Sequence, residues 1–142
     1  MVVKTYRGLL ADGGQDRIRL QTIKGKVGYR IVKFEILGAA PGVSPMEHIV
    51  KIFKSAQTTI DAVVNFTDSD LLGVAYIQDE NDTHLISSLD VIFDREIFNQ
   101  DIFVTHVDTD GSLSCNYYIE LEVIPLDDAG AQYTTLKDLR QT

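Results

Sequence analysis

The sequence predicts an all-β protein, an antiparallel β-sandwich with jelly-roll-like topology and about eight or nine strands. Apolar residues recur at every second position along most of the chain, which is the period of a β-strand. Turn signals separate these short runs at nearly regular spacing, as in sandwiches and jelly rolls. A length of 142 residues suits one domain with a substantial core.

The first part of the chain contains four strand candidates. "VVKTYRGLLADGGQD" is predicted as a strand that ends in a turn at Asp12-Gly13-Gly14, where glycine supplies the positive φ of a tight turn. "RIRLQTI" follows, and "KGKVG" then turns into "YRIVKFEIL". After a loop with Pro41 and Pro45, which cannot donate to a ladder, "EHIVKIFK" is the next strand. In "YRIVKFEIL" the period places four side chains on one face: Arg30, Val32, Phe34 and Ile36.

The second part continues the strand pattern. "TTIDAVVNF" also fits a helical face, but its β-branched content favours a strand. "LLGVAYI" and "LISSLDVIF" are the next strands, and "DIFVTHVDTDGSLSCNYYIELEVI" is predicted as a long hairpin folded about "DTDG". Residues 1–126 then form the β-sandwich domain, and residues 127–142 form a polar C-terminal tail with one helical turn near "TTLKDLR".

The predicted hairpin has two registers. A three-residue loop with Gly111 in a bulge places Val107 opposite Leu113 and Phe103 opposite Tyr117, with His106 and Asp108 on the polar side. A two-residue loop would instead put His106 on the face of Cys115. In both registers Glu120 and Glu122 point away from the apolar face, which holds Leu113, Cys115, Tyr117, Ile119, Leu121 and Val123.

Composition excludes several classes of protein. The net charge is −8 and the pI about 4.7, so a nucleic-acid-binding surface is not expected, and the six basic residues between Arg17 and Lys33 are interpreted as a solvated strand face. Cys115 is the only cysteine, which rules out an intrachain disulfide and a zinc site built on thiolates. We expect neither a signal peptide nor a membrane segment, because no apolar run approaches the roughly 20 residues that span a bilayer.

Acidic residues near "DTDG" raise the question of calcium. Aligning Gly111 with the sixth position of an EF-hand loop puts His106 first and Tyr117 twelfth, so the motif fails at both ends. A looser calcium site at Asp108 and Asp110 is the metal alternative, although these residue types are ordinary turn formers.

No motif for catalysis or cofactor binding is present. The nucleophile elbow, the phosphate-binding glycine loop and the dinucleotide fingerprint are all missing from the sequence. His48, His84 and His106 have no paired spacing, and a Cys115–His106 nucleophile pair requires the second hairpin register. The prediction is therefore a non-enzymatic protein without a cofactor, and a hydrolase with spatially paired carboxylates ranks last.

A family resemblance accompanies this pattern. "IFDREIFNQDIFVTHVDTDGSLSCNYYIELEVI", with a tail containing "TTLKDLR", resembles small virion structural proteins of marine tailed bacteriophages. The resemblance implies a capsid-associated, decoration or cement subunit in the virion, assembled in the host cytoplasm. It carries no catalytic residues.

The predicted role is therefore assembly. The chain is expected to bind other virion proteins and to form a homo-oligomer or part of a capsid lattice. Nucleic acid and membranes are not expected as partners. The contacts are expected at sheet edges and in the tail, through Phe103, Tyr118, Tyr133, Leu136 and Leu139. The alternative is a β-sandwich module that binds carbohydrate or a host receptor, because tyrosine beside amide groups is common in binding surfaces.

Overall fold

A computed structural model describes residues 2–43, 45–79, 86–93 and 96–139, so His84 lies outside the described residues. Eight strands and one helix occur in these ranges. They are β1 Val2–Leu10, β2 Gln15–Ile18, β3 Val27–Gly38, β4 Met46–Phe53, β5 Leu71–Asp79, β6 Ile86–Ile92, β7 Ile102–Asp108, β8 Cys115–Pro125 and α1 Asp128–Leu139.

The strands form two antiparallel sheets that pack face to face, which confirms the predicted β-sandwich. The smaller sheet has the order β1-β8-β3 and the larger one β2-β7-β4-β5-β6. The first strand pairs with the eighth in one sheet, and the second pairs with the seventh in the other, as in a jelly roll. The sixth strand extends the larger sheet beside β5.

The predicted hairpin between Asp101 and Ile124 is wrong, because its two arms belong to different sheets. β7 pairs with β2 and β4, whereas β8 lies between β1 and β3. Phe103 therefore faces Arg17 and Phe53, not Tyr117, and Val107 faces Ile49, not Leu113. Each of the two strands pairs with other strands on both of its sides. Residues 109–114, which connect β7 and β8, therefore cross from one sheet to the other.

The turn at Asp12-Gly13-Gly14 makes the same crossing. Gly13 has φ +78°, the conformation that glycine adopts without a steric penalty, as the sequence predicts. The Gly13 N–H donates to the His106 carbonyl at 2.9 Å, and the His106 N–H donates to the Gly14 carbonyl at 3.1 Å. The two crossings thus lie side by side at one corner of the sandwich.

The segment "TTIDAVVNF" is a loop rather than a strand. Val63 and Phe66 are exposed, and the side chains of Asp61 and Asn65 accept the N–H groups of residues two positions ahead. Such local side-chain bonds compete with a strand ladder and outweigh the β-branched composition here. The loop lies over a small apolar cluster on the outer face of the larger sheet, formed by Ile49, Phe53, Leu71 and Val74 with Ala62, Tyr76 and Phe93.

A bulge in β3 changes the predicted face of that strand. The pairing with β8 shifts between Ile31 and Lys33, so Ile31 and Phe34 both point inward. Arg30, predicted on the face of Phe34, instead forms an ion pair with Glu122 on the outer face. The main core between the sheets includes Phe34, Val50, Ile52, Ile102, Val104, Ile119 and Leu121.

The apolar face predicted for β8 is confirmed. Cys115, Tyr117, Ile119 and Leu121 are buried, and the half-exposed Glu120 and Glu122 lie on the other side. The period of two alone was sufficient for this prediction, because it does not depend on which strands pair with β8.

The C-terminal segment is a packed helix, which corrects the expectation of a polar tail with one helical turn. The Asp127 carboxylate accepts the N–H of Gly130 and caps the first turn of α1. Ala131, Thr134 and Asp138 are buried at helical spacing, so one face of α1 lies against the domain. Three polar residues of the helix, Thr135, Lys137 and Asp138, form hydrogen bonds in this contact.

Asn99 is the centre of the contact between α1 and the sandwich. Its side chain is fully buried and donates to the Gly25 carbonyl at 2.9 Å and to the Thr135 hydroxyl at 2.6 Å. Its backbone N–H donates to the Asp138 carboxylate at 2.8 Å. These bonds tie the helix to the loop before β3 and to the segment before β7.

Candidate functional site

Three side chains with metal-binding and nucleophilic atoms meet inside the sandwich at the corner where the chain crosses between sheets. His48 lies on β4 and His106 on the neighbouring β7, while Cys115 opens β8 in the opposite sheet. All three are fully buried, and one ligand atom from each lies within 4.8 Å of the others. We call these residues the His-His-Cys cluster.

The structure therefore corrects the predicted position of His106. The favoured hairpin register placed His106 on the polar side, but its ring is completely buried and close to Cys115. It shares the inward face of β7 with Ile102 and Val104, and His48 shares that of β4 with Val50 and Ile52. Period-two alternation around each histidine was the signal that places these rings inward.

Hydrogen bonds define the tautomers of the two imidazoles when both rings are uncharged. The Ala11 carbonyl can only accept, so His106 Nδ1–H donates to it at 3.1 Å and His106 Nε2 carries the lone pair. That lone pair accepts the Nδ1–H of His48 at 2.8 Å. His48 Nε2 is consequently left with a lone pair, and this buried atom has no hydrogen-bond partner among the described residues.

Burial favours the neutral form of His48. Desolvation is the main cause that lowers the pKa of His48, and the nearby His106 ring also lowers it. Asp108 and Asp12 act in the opposite direction, but the net direction is downward. At neutral pH His48 is therefore an uncharged ring with a lone pair available on Nε2.

Cys115 is a protonated thiol in this environment. Burial raises the pKa of Cys115 to about 12, and its Sγ approaches the carbonyl of Asn116 at 3.5 Å. The thiolate is the nucleophilic form of cysteine, so this residue is poorly suited to attack a substrate. Cys115 and His106 are neighbours, but their burial favours a role in packing or metal binding over covalent catalysis.

Gly38 and Met46 complete the surroundings of the cluster. Gly38 is the pairing partner of Cys115 on the adjacent strand. A Cβ at Gly38 would stand 3.0 Å from His48 Nε2 and 3.3 Å from Met46 Sδ. The missing side chain thus leaves a small space bordered by an imidazole nitrogen and a thioether sulfur.

The calcium candidate Asp108 serves as a cap for the crossing between β7 and β8. Its carboxylate accepts the backbone N–H groups of Glu47, Asp110 and Leu113 at 3.0–3.2 Å. Burial raises the pKa of Asp108, but these bonds outweigh it and hold the pKa below its ordinary value. Asp110 is exposed, and within the described ranges the two aspartates join no group of three potential His, Cys, Asp or Glu ligands.

The residues predicted for interaction lie on three different surfaces. Phe103 is half-buried on the outer face of the larger sheet, and Tyr118 is half-buried on the outer face of the smaller one. Tyr133, Leu136 and Leu139 are exposed on α1 by 69%, 55% and 54%. Leu136 shares a shallow cavity of about 380 Å³ with Ile23, which is fully exposed.

The outer face of the smaller sheet carries a second surface feature around Tyr118. An open groove of about 580 Å³ is lined by Tyr118 together with Arg7, Glu35, Leu37 and Asn116. Arg7 and Glu35 are the direct partners of Tyr118 on the two adjacent strands. The Tyr118 hydroxyl donates to Glu120 at 2.7 Å, which raises the pKa of the phenol.

Comparison of the chain with protein-family models, curated proteins and solved structures finds no match. In residues 2–43, 45–79, 86–93 and 96–139, no helix has the length and apolar character needed to cross a membrane. Its function is therefore inferred from the surfaces and buried groups described above.

Proposed function

We propose that this chain is a non-enzymatic structural subunit of a bacteriophage particle, a decoration, cement or other capsid-associated protein. The observation that carries the proposal is the apolar surface around α1. Leu136 and Ile23 line one shallow cavity, and Leu139 and Tyr133 are exposed on the same helix. Exposed apolar groups that cluster on a surface are typical of protein–protein contacts.

The anchoring of α1 supports this role. The buried face of the helix is held by Asn99 and Lys137, whose ammonium group donates to the Ile97 carbonyl at 2.7 Å. A contact surface on a rigid element loses little conformational entropy when it binds a partner. The stretch from Val91 to Ile124 resembles virion structural proteins, which is consistent with an assembly subunit.

A sheet edge that no described strand covers offers a second contact. β1 is an outer strand of the smaller sheet, and Val2, Val3 and Leu9 are exposed along it. Edge strands present unsatisfied backbone groups that a strand from another chain can pair with. The proposed subunit therefore assembles through α1 and this edge, with copies of itself or with other virion proteins.

Sedimentation velocity of the purified chain tests the role of α1. We expect a concentration-dependent oligomer or, with capsid proteins of the encoding phage, a complex that Leu136→Glu disrupts. Val63→Glu is the matched control, because Val63 is also an exposed apolar residue but lies in the loop of residues 54–70. The proposal is contradicted if the chain is a monomer in all conditions and if mass spectrometry does not detect the chain in purified phage particles.

Carbohydrate or receptor binding is the second candidate, and the groove around Tyr118 favours it. An aromatic ring flanked by Asn116, Glu35 and Arg7 combines a stacking surface with hydrogen-bonding groups. A glycan array probed with the chain and with Tyr118→Ala tests this candidate. Signals that depend on Tyr118 support it, whereas an array without signal removes it.

A further inference from the structure

The Nε2 atom of His48 is the starting point, because it is buried in the core and has no hydrogen-bond partner within the described part of the chain. His48 has no exposed surface, and the atom makes no hydrogen bond among the described residues. Buried polar atoms are nearly always paired, so an unpaired one in a native core requires an explanation such as a bound ion. The Nε2 atom lies 3.0 Å from the position that a Cβ on Gly38 would occupy.

One sulfur atom borders the same space, and a second lies close to the His48 ring. Met46 Sδ lies 3.3 Å from that Gly38 Cβ position, and Met46 is buried. Cys115 is the cross-strand partner of Gly38, and its Sγ lies within 4.8 Å of a ring nitrogen of His48. An imidazole nitrogen and a thioether sulfur therefore border the space that glycine leaves, and a thiol lies on the adjacent strand.

We propose that His48, Cys115 and Met46 bind one Cu(I) ion, with His106 as the positioning residue that holds the His48 ring. Thiolate and thioether ligands select soft ions, and imidazole also suits copper. The proton of the Cys115 thiol leaves to solvent as the Cu–S bond forms, and copper stays monovalent. The inference is independent of the proposed assembly role, because metal binding is measured on the isolated chain.

Charge distinguishes Cu(I) from Zn(II) at this site. A monovalent ion and one thiolate have no net charge, whereas a divalent ion would leave a positive charge in a buried apolar setting. Asp108 is a buried carboxylate that acts on His48, and three backbone N–H groups already occupy it. The donor set therefore favours monovalent copper.

His106 has the features of a residue that orients a metal ligand. Both of its ring nitrogens are occupied, one by the Ala11 carbonyl and the other by His48 Nδ1–H. Metal-binding histidines commonly donate their second N–H to a partner that sets the tautomer and the orientation of the ring. In this cluster that partner is the His106 ring, which is itself held by the crossing between β1 and β2.

The test is an anaerobic titration of the full chain with Cu(I) in competition with the chromophoric chelator bicinchoninate. We expect one ion per chain, with both nitrogen and sulfur in its X-ray absorption spectrum. Cys115→Ser is expected to abolish this binding, and Met46→Leu to reduce the number of sulfur scatterers at copper from two to one. His106→Gln is expected to weaken the affinity by about 10–100-fold, the usual effect of losing such a partner.

Ile119→Val is the matched control, because it removes one methyl group from the same strand and core but leaves the ligands in place. Its copper affinity is expected to equal that of the unchanged protein, and circular dichroism checks that every variant is folded. If Cys115→Ser does not fold, the spectra of the unchanged chain and of Met46→Leu still decide the question. Absence of a one-to-one complex, binding unaffected by Met46→Leu and Cys115→Ser, or tighter binding of Zn(II) overturns the proposal.

Discussion

Replacing Asp138 is expected to destabilise the protein strongly, because this carboxylate is buried beneath α1. Its side chain is 1% exposed, and one oxygen accepts the Asn99 N–H at 2.8 Å. The other oxygen lies 3.8 Å from the ammonium group of Lys54, which is itself buried and also paired with Glu96. Asp138 thus serves a buried donor and a buried cation together.

The contacts of Asp138 with Asn99 and Lys54 determine how much free energy of unfolding is lost when Asp138 is replaced. Asp138→Ala leaves the buried Asn99 N–H without an acceptor, a loss of about 1–3 kcal/mol. Removing one partner of a buried ion pair costs about 3–5 kcal/mol when the remaining charge is isolated, but Lys54 keeps Glu96. We therefore expect Asp138→Ala to lower the free energy of unfolding by about 3–4 kcal/mol. Asp138→Asn retains an oxygen for Asn99 and is expected to cost about half as much.

Urea unfolding followed by circular dichroism measures both values, since the midpoint and slope give the free energy of unfolding. Hydrogen exchange of the amides in α1 should also accelerate in Asp138→Ala. The control is Val63→Glu, an exposed loop substitution that we expect to change stability by less than about 0.5 kcal/mol. Equal effects of the alanine and asparagine variants would refute the assignment of the Asn99 bond.

Three further predictions concern the core, a close contact and the acid limit of stability. Phe34→Ala should lower the free energy of unfolding by about 3–5 kcal/mol, because Phe34 is fully buried between the sheets; a loss below about 1 kcal/mol in urea unfolding would contradict this. Gly8→Ala should cost about 1–3 kcal/mol in the same assay, since its Cβ would stand 2.7 Å from the Tyr117 ring. A melting temperature equal to that of the unchanged protein would show that the ring moves freely. Burial raises the pKa of Asp101, but two backbone N–H groups and Arg17 outweigh it and lower the pKa. Its stabilisation is therefore complete above the ordinary carboxyl pKa of about 3.9 and is lost as pH falls through the lower folded value. Asp101→Asn should flatten the dependence of unfolding free energy on pH in that range, and an unchanged slope would contradict the assignment.

Local alternation was enough to predict which side chains of β8 enter the core. The inward positions of Cys115 and Tyr117 and the outward positions of Glu120 and Glu122 follow from a period of two, whatever the neighbouring strands are. The same logic applied to β4 and β7 would have placed His48 and His106 inward. The predicted hairpin register obscured this for His106.

The alternation of apolar residues could not predict which strands pair with each other. β7 and β8 are adjacent in sequence and separated by a turn signal, which fits a hairpin as well as a crossing between sheets. Their ladders are instead completed by β2 and β4 and by β1 and β3. The strand predicted for "TTIDAVVNF" was wrong for a different reason. Its β-branched composition favoured a strand, but the side chains of Asp61 and Asn65 accept hydrogen bonds from nearby backbone N–H groups, and the segment forms a loop.

The sequence by itself determined the all-β class, the inward face of β8 and the turn at Gly13, because these depend on the geometry of a few consecutive residues. The tertiary structure decided that α1 is a docked helix and that His48, His106 and Cys115 meet at one corner of the sandwich. Those outcomes depend on groups far apart in the sequence, 39 positions for Asn99 and Asp138 and 58 for His48 and His106, which meet only in the folded chain. Periodicity reports the face of a strand, whereas long-range burial and hydrogen bonding select its partners.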